Sequence, residues 1–253
     1  VVILSGVFAH TALTQRLMRL MSMETFFMAM HDCPDKLEAL LTLLRDNAVR
    51  MVTWAEREGL LVVNNGNECT CGTCYNFTTQ LPKRAVAPGQ VRLSDMWAGM
   101  DSQETVGVAP EMFHAQIYPH YKVLAELFGM VYWGCCEPAD PLWELSLSNL
   151  PNLRAISISR WADQAFMADA LAGREIVFSR KPDPNLLGVD PELDEAAWAA
   201  NIRATLEIVT PKNVPLEFVV RDVYTMHGDL SKARRAVEIA RREIDAFFSS
   251  TGA

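Results

Sequence analysis

The chain has no apolar run long enough to cross a membrane. Its longest hydrophobic stretches are broken by charge well before the roughly 18 residues that a spanning helix needs. Its first residues, "VVILSGVFAH", carry neither a basic leader nor a cleavage site, and they lack an initiator methionine. No Gly/Ser-rich linker, low-complexity tract or internal repeat interrupts the pattern, so a single domain over residues 1–253 is expected. Basic residues are in the minority, 23 Lys and Arg against 31 Asp and Glu, for a net charge of −8. Phosphate backbones are held by a basic surface that releases counterions, so this balance argues against nucleic acid as the main partner.

What is present is a globular composition. Half of the 253 residues are hydrophobic and 21% are charged, enough to bury a full core, and single α/β barrels reach this size. Six cysteines stand at 33, 69, 71, 74, 135 and 136. Without a secretion leader they read as thiols or metal ligands rather than as a disulfide framework, which places the protein in a reducing cytoplasm.

Strand-like and helix-like segments alternate along the chain. "VVILS" is the first expected strand, followed by helical sequence from Leu13 to about Gly59, with Leu37, Leu40, Leu41 and Leu44 on one face. Asp32 and Pro34 stand where a cap and a first-turn proline start a helix. "LLVVN" is the second strand. The segment from Asn65 to Gly107, rich in Gly, Asn, Pro and Cys, reads as a long functional loop. A helix opened by Pro110 carries Phe113, Ile117, Tyr121, Leu124 and Phe128 on one face and feeds "MVYW". Further strands are expected at "RAISIS", "EIVFS" and "LEFVV", with helices at Trp161 to Leu171, Pro191 to Val209 and Leu230 to Phe248. The last helix places Ala233, Val237, Ala240, Ile244 and Phe247 on one stripe. Such alternation implies parallel βαβ units.

The motifs with chemical content sit at strand ends. "VYWGCCEPAD" (131–140) ends an apolar run in two adjacent cysteines and a glutamate. "FSRKPDPNLL" follows a later strand with Arg180 and Lys181, and "TMHGD" carries His227. In the order strand, Asp-Pro-x-Leu-Leu, helix, strand, His-Gly, helix, together with "DMWAGMDSQETVGVAPEMFHAQIYPHYKVLAELFG", residues 95–248 resemble the uroporphyrinogen decarboxylase superfamily. That superfamily includes the decarboxylase of haem synthesis and the zinc-dependent methyltransferases that work with corrinoid proteins and coenzyme M or tetrahydrofolate. The resemblance implies a (β/α)8 barrel of TIM type. It would put "GCCEP", "SRKPDP" and "MHGD" at the carboxyl ends of strands five, seven and eight, the face where such barrels assemble their sites. About six βα units are visible where the barrel has eight, so an incomplete barrel lacking its first one or two units is expected; a different open α/β sheet is the alternative.

In the methyltransferase branch the turn after strand five holds a His-x-Cys pair, and a cysteine after strand eight completes a zinc site. Here Gly134 and Trp133 stand where the histidine would be, and His227 stands where the later cysteine would be. The resemblance therefore implies a zinc site built from Cys135 or Cys136, Glu137 and His227, offering sulfur, oxygen and nitrogen, with one position open for a substrate thiol or other nucleophile. His227 and Glu137 become the candidate catalytic groups, and a corrinoid protein or a folate-like or tetrapyrrole small molecule the partner. Arg180 and Lys181 are read as binding a substrate carboxylate, Asp222 as orienting His227 or a ligand hydroxyl, and Trp133 as a substrate-lining residue. Cofactor-free decarboxylation of uroporphyrinogen and non-catalytic tetrapyrrole binding are the alternative functions.

Plainer accounts stand beside each assignment. Free cysteines are among the most buried residues, so Cys135 and Cys136 also read as small core hydrophobes. Glu137 also reads as a cap for a helix near Pro141, Arg180 and Lys181 as a solvated loop pair, and Asp222 as a cap for the last helix region. "CTCGTC" (69–74) offers only three local ligands, and incidental loop cysteines explain it as simply. His114 and His120, six apart on one helix, face different ways and make no metal pair. His10 and His31 are isolated. Twelve methionines, several in "RLMRLMSMETFFMAM", read as core filler or an oligomer interface, which keeps a homo-oligomer among the expected states.

Overall fold

Prolines and polar caps set the helix boundaries at the amino-terminal end. The computed structural model describes residues 11–66 and 76–251, the last two without their side chains. The helical stretch expected from Leu13 to Gly59 forms three helices: α1 (Leu13–Met18), α2 (Met23–Asp32) and α3 (Pro34–Arg57). Ser22 caps α2 by accepting the Thr25 N–H at 3.1 Å. Pro34 occupies the first turn of α3, where its missing N–H costs nothing, and Cys33 rather than Asp32 precedes it. α3 buries Leu37, Leu41, Ala48, Val52 and Ala55, the stripe its periodicity dictates.

"LLVVN" is not a strand: residues 60–64 join no ladder. Instead the Asn64 side chain donates to Trp97 O and accepts from Trp97 N, both at 2.9 Å, so a side-chain amide occupies the place of a strand partner. The segment Asn65 to Gly107, expected to be all loop, contains a buried strand, β1 (Trp97–Met100). The expected strand "VVILS", His10, and Cys69, Cys71 and Cys74 lie outside the described residues.

The long helix expected after Pro110 is two helices, α4 (Pro110–Gln116) and α5 (Tyr118–Ala125). Pro119 sits in the first turn of α5 and cannot donate back into α4, so the helix restarts at that point. The apolar face nevertheless survives: Phe113, Ile117, Tyr121, Leu124 and Phe128 are all buried. Next come β2 (Met130–Trp133), the short α6 (Asp140–Trp143) and β3 (Leu153–Ile158). β1 pairs with β2 and β2 with β3, both in parallel. All four residues of β2 are buried, the pattern of a parallel strand covered on both faces.

The chain groups into two compact units, the first ending at Ser157 and the second beginning at Ile158. The second contains α7 (Gln164–Leu171), β4 (Val177–Arg180), α8 (Asn185–Gly188), α9 (Glu195–Val209), β5 (Leu216–Phe218) and α10 (Ser231–Thr251), with β4 and β5 paired in parallel. Asp163 and Asp194 cap α7 and α9 through the N–H groups of Phe166 and Ala197. The core of this unit is Leu187, Trp198, Ile202 and Leu206 against Ala236 and Ile239 of α10. The buried Trp198 indole donates to Ala236 O at 2.8 Å, so its large apolar ring is buried without stranding its polar atom.

The apolar stripe expected on α10 is met in part: Ala240, Ile244 and Phe247 pack partly buried against this core. Ala236 and Ile239 enter the closed core, while Val237 is 48% exposed. Ala233, Val237, Ala240 and Ile244 line an open groove of about 810 Å³ beside β5. The protein is thus α/β with five parallel-paired strands among the described residues, and no described helix is long and apolar enough to cross a membrane.

Candidate functional site

β1 and β2 are parallel neighbours, so their carboxyl ends deliver Asp101–Ser102 and Gly134–Glu137 to the same edge, the edge where α/β proteins bind ligands. Gly134 is needed for this turn. Its φ is 101°, and a Cβ on it would lie 2.8 Å from Ser157 Cβ. Its N–H donates to Met100 O at 2.7 Å, extending the β1–β2 ladder before the chain turns away.

Glu137 ties the two strand ends together. Its Oε1 accepts the Ser102 N–H at 3.1 Å and its Oε2 the Cys135 N–H at 2.9 Å, with only 3% of the residue exposed. Burial pushes its carboxyl above the usual range and the nearby Asp101 adds to this, while the backbone N–H bonds oppose it. Glu137 therefore braces this turn. It does not cap α6, whose N-cap is Ala139 with no side-chain bond.

The thiols follow from the same turn. Cys135 is buried, Cys136 half-buried, and their Sγ atoms are 3.6 Å apart without a disulfide. Ser157 Oγ donates to Cys135 O at 2.7 Å, fixing the backbone that carries them. Trp133, just before, is wholly buried, packed edge-on against Phe113 and Tyr121 at 6.3 and 5.0 Å.

Residues that the sequence pattern did not single out complete this edge. Gln15 Nε2 donates to Asp101 Oδ1 at 2.8 Å, and Thr14 Oγ1 to Glu104 Oε2 at 2.8 Å. Tyr121 OH donates to Asp101 O at 2.6 Å, and burial raises its phenol well above the ordinary value. A cavity of about 430 Å³ opens here, with Ser102, Thr105, Val108, Glu137, Pro138 and Leu142 among its lining residues. The signal was present in "WAGMDSQET", an apolar run ending in a polar one, the same grammar as "VYWGCCEP".

In the second unit Arg180 and Lys181 stand at the carboxyl end of β4 and are 3% and 4% exposed, so they are not a solvated loop pair. Arg180 Nη1 donates to Ile158 O at 3.2 Å and Ser159 O at 2.7 Å. Burial pushes its pKa down to about 10, against the pull of Asp183. Burial likewise raises Glu217 on β5, while Ser179 and the charge of Lys181 draw it back.

His227 is exposed, in a left-handed conformation at φ 53°, and its Nε2 donates to Val189 O at 3.1 Å. Asp222 is also exposed and left-handed, paired with Arg221 at 3.0 Å. At the start of the last helix it is Asp229 that accepts the Ser231 N–H, at 2.9 Å. His114 and His120 have separate partners, Ser146 and Glu38. Met30 is core, while Met23 and Met28 are exposed.

Two thiols 3.6 Å apart suit one edge of a tetrahedral zinc–sulfur site, about 3.8 Å for Zn–S bonds near 2.3 Å. Among the described residues no group of three or more His, Cys, Asp or Glu is disposed to hold a metal. No family model, curated protein or solved structure matches the chain.

Proposed function

We propose that this chain is an enzyme of the uroporphyrinogen decarboxylase type, built on a TIM-type barrel, that moves a methyl group between a corrinoid protein and a small thiol or folate acceptor. The observation that carries this reading is the Cys135–Cys136 pair on a turn braced by Glu137, at the carboxyl end of a parallel strand. Methyl transfer needs a nucleophile held as an anion, and paired thiolates supply the ligands for a zinc ion that would so hold an acceptor thiol. Glu137 contributes by positioning: its two bonds to backbone N–H groups lock the turn that carries both sulfurs.

The test pairs metal content with turnover. Protein purified without chelators is expected to carry zinc in stoichiometric amount, and Cys135→Ser and Cys136→Ser each to lose most of it. Methylcobalamin serves as the methyl donor and a small thiol as the acceptor. Loss of the methylcobalamin absorbance is expected with the wild type and not with either variant. Full zinc content in both variants, or wild-type protein inert toward methylcobalamin, would refute the proposal.

A further inference from the structure

The second unit buries a cation that forms no direct ion pair among the described residues. Arg180 is 3% exposed, yet the described residues place no carboxylate at ion-pair distance from it. Its nearest acid, Asp183, spends its Oδ1 on Arg160 at 2.8 Å. The neighbouring Lys181 is electrostatically coupled to the half-buried Glu217 of β5. Arg160 forms an ion pair with Asp183 and Lys181 acts on Glu217, while Arg180 has backbone carbonyls as its hydrogen-bond acceptors and only the longer-range charge of Asp183 to set against its own. Burying a charge this way is costly unless a counter-charge arrives.

The hydrogen bonds show which edge of the guanidinium lacks a partner. Nη1 is committed to Ile158 O and Ser159 O, while the buried Nε has no acceptor among the described residues. In a guanidinium Nε shares with Nη2 the side-on edge that receives both oxygens of a planar carboxylate. The two carbonyl bonds also fix the plane of the fork in advance, which lowers the entropic cost of capture. Arg180 sits at the carboxyl end of β4, the ligand-facing edge of a parallel sheet.

We infer that Arg180 is a carboxylate-binding residue, receiving a single carboxylate of a small organic acid side-on at its Nε edge. One buried guanidinium without an ion pair matches a monoanionic group. The inference deepens the proposed function by assigning the substrate a carboxylate, but its readouts involve neither thiol nor metal, so the two fail separately.

The experiment uses the whole chain with acetate, succinate and benzoate as probes, against chloride and inorganic phosphate at matched ionic strength. Phenylglyoxal modification of Arg180 in the wild type, followed by peptide mass spectrometry, is expected to slow at least threefold with one or more of the carboxylates and not with chloride. The same carboxylate is expected to raise the melting temperature of the wild type and to lose that effect in Arg180→Lys, because an ammonium keeps the charge without the side-on fork. The footprint needs no variant, so it decides even if Arg180→Lys fails to fold. Protection by no carboxylate beyond chloride, equal protection by phosphate, or a melting shift retained in Arg180→Lys would each overturn the assignment.

Discussion

Glu137 and Ser102 are 35 residues apart in the chain, and the carboxyl of the first accepts the amide N–H of the second at 3.1 Å, joining the ends of β1 and β2. Because Cys135 N–H binds the other oxygen of the same carboxyl, one side chain satisfies two buried donors. Glu137→Gln keeps the volume but presents an NH2 group to one of them. An unmet buried donor costs about 1–3 kcal/mol, so the urea unfolding free energy of Glu137→Gln is expected to fall by that amount. Wild-type stability in this variant would remove Glu137 as the brace of the turn.

Gly134 has two independent reasons to be glycine, its positive φ and its approach to Ser157. Gly134→Ala should cost on the order of 3 kcal/mol, from backbone strain and overpacking together. Ser157→Gly removes the atom that the new methyl meets. In a double-mutant cycle the two substitutions should show a favourable coupling of about 1 kcal/mol or more. Strict additivity would show that strain alone sets the cost.

His120 is 1% exposed, with its Nε2 3.0 Å from Glu38. Burial lowers its pKa; Glu38 and Asp46 oppose that shift and Arg45 reinforces it. Below the ordinary value of 6.5 the unfolded chain therefore holds more protons at this position than the native one. Stability should rise with pH through the window just below 6.5 and level off above it as far as this group is concerned. Urea midpoints across that window are expected to be flatter in His120→Gln than in the wild type; an equal or steeper slope in the variant contradicts the shift.

The two thiols differ in access. Cys135 is 4% exposed and Cys136 half-buried, so a bulky disulfide reagent should label Cys136 first. In metal-free protein whose Cys33, Cys69, Cys71 and Cys74 are replaced by Ser, Cys136→Ser is expected to abolish the faster of the two remaining phases and Cys135→Ser the slower. Equal rates at the two sulfurs would contradict the burial difference.

How much of this was legible depended on composition. β2 to β5 announce themselves as apolar runs rich in β-branched and aromatic residues, and Cys135 to Glu137 stand out because a polar group ends such a run. β1 did not, because Trp97–Met100 is short, contains Gly99, and follows Gly- and Pro-rich sequence. Missing the strand meant missing Asp101 and Ser102 at its end. "LLVVN" misled in the opposite direction: its apolar run suits a strand, but Asn64 pairs with Trp97 through its side chain, an interaction no periodicity records. Pro119 split α4 from α5 without disturbing their common face, so the helix boundary was hidden while the buried residues were not.

The face of α10 carries the same lesson in testable form. Periodicity puts Ala233, Val237, Ala240, Ile244 and Phe247 on one stripe, a stripe is normally core, and Ala240, Ile244 and Phe247 do pack partly buried against it. The folded chain instead seals Ala236, 2% exposed, beneath the Trp198 indole, and leaves Val237 48% exposed on the open groove. Ala236→Asp would bury a carboxylate against Trp198 and Ile202, one turn from the buried Lys232, whose Nζ is already bound to Asp190 O, a several-kcal/mol loss of the kind that unfolds small domains. Val237→Asp leaves its carboxylate hydrated and should shift stability by no more than about 0.5 kcal/mol. Urea denaturation of the two variants decides between the faces: a severe loss at Val237 with tolerance at Ala236 would mean that the stripe, and not Ala236, is the buried side of the helix.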